Sequence, residues 1–208
     1  LVRFGAAQAT EREDGPAPDA VFTGEEACRA AINWTLNGLY AGRRDLYLRM
    51  PFDDSSRVYS DDNTSRIHYL LSRQVAVSAG EYLYRQHEAS ATHRFDLRRL
   101  DFLAANRSLR SLLERYHANT ELLSACEEHC WRNYVGLYLQ FRRHWATFSP
   151  QAHQQIRDAF KVSLQAMRPE RLPRGLRWSP SWLFVRPFSL FCAYRRLLSG
   201  LKKIFKPI

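Results

Sequence analysis

Two adjacent carboxylates, Asp61 and Asp62, are the residues best placed for acid–base chemistry in this chain. They precede Ile67, Leu70 and Leu71, whose helical spacing predicts a helix that begins at the pair. Neighbouring carboxylates repel each other, and such a pair can hold one pKa high enough for a general base. Acidic residues at a helix start also satisfy free amides and complement the helix dipole. The pair therefore has two interpretations, a helix start and a catalytic base.

Two further polar side chains lie on the same predicted helix. Arg66 follows Asp62 by four positions, so an ion pair between them would orient the carboxylate or compete with its basicity. His68 faces away from Asp62 by helical phase, which favours a packing role for the imidazole.

A second polar cluster follows a strand-like stretch. Alternation of Val75 and Val77, then of Tyr82 and Tyr84, predicts two strands, or one strand with a bent extension, about Ala79-Gly80. The stretch ends in Tyr84-Arg85-Gln86-His87-Glu88-Ala89-Ser90-Ala91-Thr92. An arginine and a histidine are thereby delivered after the acidic pair.

An acidic pair opening a helix, a short strand, a turn and then Tyr-Arg-x-His-x-x-Ser-x-Thr resembles the C-terminal half of the catalytic domain of family 2 glycosyltransferases. The resemblance covers residues 1 to about 113. It implies an α/β fold, part of a GT-A type nucleotide-diphospho-sugar transferase, followed by an α-helical extension. It also implies an inverting enzyme that moves a sugar from a nucleotide-sugar donor to a glycan or lipid-linked acceptor in bacterial surface polysaccharide biosynthesis.

The resemblance also assigns roles to residues. Asp62 matches the catalytic base, and Asp61 stands where glutamate is more usual. Arg85 and His87 match positions near the sugar diphosphate, and Arg66 is a further substrate-binding candidate. The cofactor implied is a divalent metal, Mn²⁺ or Mg²⁺, for which His87 is either a ligand or a hydrogen-bonded loop histidine.

The main metal ligands of such an enzyme form an Asp-x-Asp segment, which we expect upstream of Leu1. The chain is on this interpretation a fragment that is inactive by itself, and the activity belongs to the full-length protein.

Three regions are expected. The resemblance implies that residues 1–95 form the C-terminal half of the catalytic domain, while periodicity and composition predict a helical accessory region over 96–168 and a linker with a basic amphipathic tail over 169–208. Within the first, Thr23 and Glu26 have the form of a capping box, which predicts a helix to about Leu36. Within the second, apolar residues at helical spacing predict helices over 96–117, 120–147 and 150–167.

The net charge of +10 is concentrated in the tail. After Glu170 the chain has nine Lys or Arg and no acidic residue. Aromatic and aliphatic residues mixed with cations over 182–206 predict an interfacial helix on an anionic membrane surface, with a helix docked on its own protein as the alternative. We thus expect a cytoplasmic protein, peripheral at the inner face of the cell membrane.

Two other classes of function remain as alternatives. A nucleic-acid-binding module that uses the basic tail is not favoured, because the tail is too apolar for a solvated groove. A non-catalytic helical scaffold is the other. The four cysteines have no spacing of a metal or disulfide framework, and we expect buried free thiols.

Overall fold

A small mixed sheet lies in the first part of the chain. The computed structural model describes residues 2–7, 17, 19–83, 95–177, 190, 192–194 and 197–198. Four strands occur in the order β2-β4-β1-β3, where β1 is Val2–Ala7, β2 Val21–Thr23, β3 Tyr40–Ala41 and β4 Gln74–Leu83. β1 and β4 are parallel, and each edge strand is antiparallel to its neighbour.

The predicted pair of strands about Ala79-Gly80 is one strand. The pairing of β4 with β1 steps from Phe4 opposite Ser78 to Gly5 opposite Glu81, so that two residues of β4 have no partner on β1. Extra residues on one strand are accommodated as a bulge, which bends the strand without ending it. The alternative of one strand with a bent extension is therefore confirmed, and the hairpin is wrong.

Helix α1, Gly24–Ile32, begins with the predicted capping box. Glu26 N donates to Thr23 Oγ1 at 3.3 Å, and the Glu26 carboxylate accepts from Thr23 N at 2.8 Å. The helix ends four residues before the predicted Leu36, because Trp34 adopts a left-handed backbone with φ of 64°. Thr35 N and Leu36 N then both donate to Ala30 O, which closes the helix end.

The remaining helices occupy most of the chain. Two short ones, α2 (Arg44–Arg49) and α3 (Asp61–Leu70), complete the first part, and α4 (Asp101–Arg115), α5 (Thr120–Arg143), α6 (Pro150–Gln165) and α7 (Arg174–Arg177) follow. Single 3₁₀ turns at Leu97–Leu100, Trp145–Thr147 and Pro169–Arg171 separate the later helices. The helices predicted over 96–117, 120–147 and 150–167 are thus present with shorter bounds. The first loses five residues at its start and two at its end, the second four at its end, and the third two at its end.

Two apolar clusters form the core. The first joins α1, α3 and β4 to one side of α4 and α5, through residues such as Ile32, Ile67, Leu109 and Cys126. The second lies between α4, α5 and α6, with Phe160 among its fully buried side chains. Because the first cluster crosses residue 95, the sheet region and the helices share one interior.

The prediction of an α/β fold of GT-A type with a helical extension is wrong. The described chain is mostly helical, with only a small sheet. Its edge strands have three and two residues, and β1 with β4 is its one parallel pair among the described strands. The α/β expectation came from the family resemblance, whereas the predicted alternation of Val75 and Val77 belongs to β4 alone and long amphipathic periods dominate from residue 96 onward.

Two expectations about side chains and spans can be compared with the structure. Cys28, Cys126, Cys130 and Cys192 are free thiols, the first three of them buried, as predicted. Across the described ranges, every helix is too short or too polar to cross a bilayer.

Candidate functional site

The acidic pair lies in the first turn of α3, as the sequence predicts. Asp61 is exposed and Asp62 is half-buried, so the two carboxylates meet different surroundings. Ser60 precedes them at the N-cap, but its side chain does not cap the helix. The Ser60 hydroxyl lies instead 2.7 Å from Asp53 O and 2.8 Å from Ser56 O, which ties the preceding loop to the helix start.

Asp53 anchors this loop, which runs from residue 51 to 60. Its Oδ2 accepts from Asn63 Nδ2 at 2.8 Å and from Ser108 Oγ at 2.9 Å. Its Oδ1 accepts from Ser55 N at 3.1 Å. Asn63 also donates to Ala105 O at 2.9 Å, so the loop and α3 are fixed to α4 from behind. A carboxylate that accepts several bonds is held in place and makes the loop geometry definite.

A cavity of about 630 Å³ opens beside the helix start. Its size is within the range of small-molecule binding sites. It is lined by polar groups and by large aromatic rings, among them Trp34, Phe52, Asp53, Arg57, Tyr59, Asp61, Asp62 and Phe102. Residues from the segment after α1, the 51–60 loop, α3 and α4 therefore meet at one place, although they are far apart in the chain.

Burial, more than the neighbouring charge, sets the acidity of Asp62. Its pKa is raised above the ordinary value, first because burial penalises the charged form and to a smaller extent because Asp61 is close. Arg66 opposes the shift. Repulsion between the two carboxylates was expected to raise the pKa of one of them. The pKa of Asp62 is indeed raised, but desolvation is the main cause.

Arg66 points into the protein interior. Its side chain is buried, with Nη1 donating to Asn63 Oδ1 at 3.2 Å and Nε to Ala31 O at 3.4 Å. Its guanidinium carbon lies 5.3 Å from the centre of the Trp34 ring. The described contacts of Arg66 thus hold α1, α3 and Trp34 together, and Arg66 is not among the residues that line the cavity.

His68 has the packing role that its helical phase predicts. The imidazole is fully buried, with Nδ1 2.9 Å from the Tyr40 hydroxyl and Nε2 2.7 Å from Met50 O. Burial lowers the pKa of His68, which keeps the ring neutral at physiological pH.

Two predicted site residues, Arg85 and His87, lie outside the described residues. Whether they face Asp62 stays a prediction. Within the described ranges, no three His, Cys, Asp or Glu side chains come together as a group that could hold a metal ion. No step proposed below depends on a metal.

Trp34, Phe52, Arg57 and Phe102 are among the cavity residues that the sequence did not indicate as site residues. Phe52 carries one usable signal, because it is a large apolar residue in a polar loop, and it is 68% exposed. Trp34 carries none, because the sequence predicts that its helix continues to about Leu36. Arg57 and Phe102 carry no such local signal, because only the packing of α4 against the loop brings them to the cavity.

Comparison with known proteins does not extend the description of this site. No family model matches the chain, and neither the curated proteins nor the solved structures include a significant match.

Proposed function

We propose that this protein takes part in glycosyl transfer, with Asp62 as the general base. The observation that supports the proposal best is the placement of Asp62, whose half-buried carboxylate lines a ligand-sized cavity and has a raised pKa. A base with a raised pKa accepts a proton more strongly while it remains ionised near neutral pH. The proposal rests on this site and does not require a GT-A fold.

The proposed reaction is a displacement at the anomeric carbon of a nucleotide-sugar. An acceptor hydroxyl oxygen forms the new bond to that carbon, and the bond from the carbon to the diphosphate oxygen breaks. The hydroxyl proton passes to an Asp62 carboxylate oxygen, and the electron pair of the broken bond leaves with the nucleoside diphosphate. Arg57 is the described cation on the cavity wall, and it would offset charge on the leaving group together with the predicted Arg85 and His87.

Asp61 provides a matched control for Asp62. Both carboxylates open the same helix, but Asp61 is exposed, whereas Asp62 is half-buried. In the natural protein, release of nucleoside diphosphate from a panel of nucleotide-sugars measures turnover. We expect Asp62→Asn to lower kcat by about 10²- to 10⁴-fold, the usual contribution of a general base, and Asp61→Asn to lower it less than about tenfold. Equal losses, or full turnover in Asp62→Asn, would refute the assignment of the base.

The raised pKa of Asp62 also predicts a pH dependence. Turnover requires the ionised carboxylate, so the acidic limb of the kcat/KM profile, which reports the free protein, should lie above the ordinary pKa of aspartate, about 3.9. The folded state holds this proton more tightly than the unfolded state does. The charged carboxylate therefore costs stability as pH rises through the folded pKa, and Asp62→Asn should be the more stable protein at neutral pH but not at pH 3.

We further propose that the tail associates with an anionic membrane surface. Three positions at helical spacing, Leu190, Ala193 and Leu197, are exposed, and the two leucines are 48% and 63% accessible. The sequence surrounding them is rich in Lys and Arg. An exposed apolar helix face beside cations is the pattern of an interfacial helix, and each cation near such a surface contributes about 1 kcal/mol.

Sedimentation with vesicles tests this surface. We expect the protein to pellet with phosphatidylglycerol vesicles and not with phosphatidylcholine vesicles, and Leu190→Gln with Leu197→Gln to weaken the binding. Val162→Gln, which changes a 49% exposed residue on α6, is the control. Salt-dependent binding to DNA or RNA without affinity for vesicles would favour a nucleic-acid-binding module instead.

A further inference from the structure

Two large aromatic residues of the cavity have an unusual backbone. Trp34 has φ of 64° and Tyr59 has φ of 77°, and both line the cavity that contains Asp62. The left-handed region is sterically costly for any residue with a Cβ, and a bulky side chain there is a genuine outlier. Such backbone strain tends to persist where the surrounding structure uses it for function.

Trp34 is not explained by the needs of the core. It occupies the helix-ending position after α1, where glycine would adopt the same φ without strain. The side chain is 44% exposed, so the cost of the backbone is not returned by complete burial of the indole. Arg66 lies over the ring at 5.3 Å and thereby fixes its orientation.

Tyr59 and Phe102 extend the aromatic wall. Their rings are stacked with 3.4 Å between centres and 15° between planes, which fixes Tyr59 at the turn that leads into α3. Phe52, also on the cavity, is 68% exposed. Four rings from three separate segments thus surround the space beside Asp62, and two of them are largely accessible.

The charges of the cavity decide between ligands that stack on aromatic rings. Asp53, Asp61 and Asp62 line it with carboxylates, and Arg57 is the cation of the described lining. An excess of carboxylates disfavours a nucleic acid, whose many phosphates would be repelled, while Arg57 can still face the single diphosphate of a donor. A neutral sugar ring fits better, because its apolar C–H face packs on an aromatic ring while its hydroxyls donate to carboxylates.

We infer that Trp34, Phe52 and Tyr59 form a binding platform for a neutral pyranose ring of the acceptor, held beside Asp62 by the strained backbone of Trp34 and Tyr59. This inference rests on the proposed function in one respect, namely that the bound sugar is the acceptor of the transfer. Binding of the sugar itself does not need turnover. The platform would set which acceptor is used, since the ring that stacks on Trp34 determines which hydroxyl meets Asp62.

Substitution of Trp34 separates binding from folding. Trp34→Gly removes the ring and relieves the backbone strain, whereas Trp34→Phe keeps a ring. Saturation-transfer NMR with methyl glycosides of glucose, galactose, mannose and N-acetylglucosamine measures binding, and thermal unfolding measures stability. We expect at least one glycoside to bind, Trp34→Gly to lose at least about 90% of that signal, and Trp34→Phe to retain at least half of it. The Tm of Trp34→Gly should lie within about 4 °C of the parent value, a shift that corresponds to a small change in stability.

Each other outcome counts against the platform. If no glycoside binds, or if Trp34→Gly binds as well as the parent protein, the inference is wrong. If Trp34→Gly loses more than about 4 °C in Tm, Trp34 is a structural residue, and the inference is equally wrong.

The same measurements in Asp62→Asn distinguish this inference from the proposed function. Suppose that the parent protein turns over no nucleotide-sugar, while glycoside binding is lost in Trp34→Gly and retained in Asp62→Asn. This result would support the platform and refute glycosyl transfer. Turnover that depends on Asp62 but occurs without Trp34-dependent binding would do the reverse.

Discussion

Two adjacent glutamates on α5 test how strongly burial changes the contribution of an ion pair to the free energy of unfolding. Glu127 and Glu128 each pair with an arginine, but Glu127 is 1% exposed at its side chain and Glu128 30%. Arg110 donates to Glu127 through Nε at 2.8 Å and Nη2 at 3.0 Å, and Arg168 N donates to the same carboxylate at 2.9 Å. This carboxylate therefore joins α4, α5 and the segment after α6.

Burial makes the two pairs unequal. Burial alone lowers the pKa of Arg110, but the hydrogen bonds and charge of Glu127 outweigh it, so the pKa is raised and the guanidinium stays charged. Glu127→Gln keeps the shape of the side chain but leaves that cation buried without a counter-charge, which costs about 3–5 kcal/mol. Glu128→Gln breaks an exposed pair four residues apart on one helix with Arg132, and such pairs contribute about 0.3–0.5 kcal/mol.

Urea unfolding of the parent and the two variants measures these differences in the free energy of unfolding. A loss of about 3–5 kcal/mol is a large part of the stability of a typical domain, so Glu127→Gln should shift the midpoint strongly while Glu128→Gln barely shifts it. The double variant Arg110→Met with Glu127→Leu should recover part of the loss, because no buried charge remains, although Arg168 N loses its acceptor. Similar small losses in both single variants would show that Arg110 and Glu127 are hydrated, and the described interior of the helical part would be wrong.

Two further predictions concern packing and protonation. A Cβ on Gly24 would lie 2.1 Å from Ser72 O, so Gly24→Ala should lower the free energy of unfolding by about 1–3 kcal/mol. Gly136 has open space and a helical backbone, so Gly136→Ala should raise the free energy of unfolding by about 0.4–1 kcal/mol. Urea unfolding distinguishes these opposite signs. Burial, with a smaller effect of Arg66, lowers the pKa of His129 to about 3, so NMR should show a neutral ring from pH 8 to 5. The fold should lose stability as pH falls below about 6.5, because the unfolded chain takes up the proton there and the folded chain does not. Titration of the folded His129 near pH 6.5 would contradict its burial.

Local features of the fold were predictable because a few neighbouring residues produce them. The capping box of Thr23 and Glu26 is a contact between residues three positions apart, and it forms as expected. Asp61 and Asp62 lie in the first turn of α3 for the same reason. The longer helices also follow from the local repeat of apolar side chains, although their ends differ from the predicted ends by up to five residues.

Several errors arose where distant partners decide the outcome. The amino-acid pattern of β4 does not reveal that the strand continues past Ala79-Gly80, because the pairing with β1 absorbs the extra residues in a bulge. The α/β fold implied by the family resemblance also overestimated the sheet, since two of its strands are only edges of two or three residues. Strand pairing is non-local, and alternation within one segment does not determine it.

In the candidate site too, the features that depend on neighbouring residues were predictable, and those that depend on distant segments were not. By itself the sequence determined that two carboxylates would open a helix, that His68 would face away from them, and that the tail is basic. Only the tertiary structure decided that Asp62 would be desolvated, that Arg66 would turn inward, and that Trp34, Arg57 and Phe102 would share its cavity. The reason is that burial and the meeting of separate segments depend on the packing of α1, α3, α4 and the loop between them, whereas a helix start depends on its own few residues.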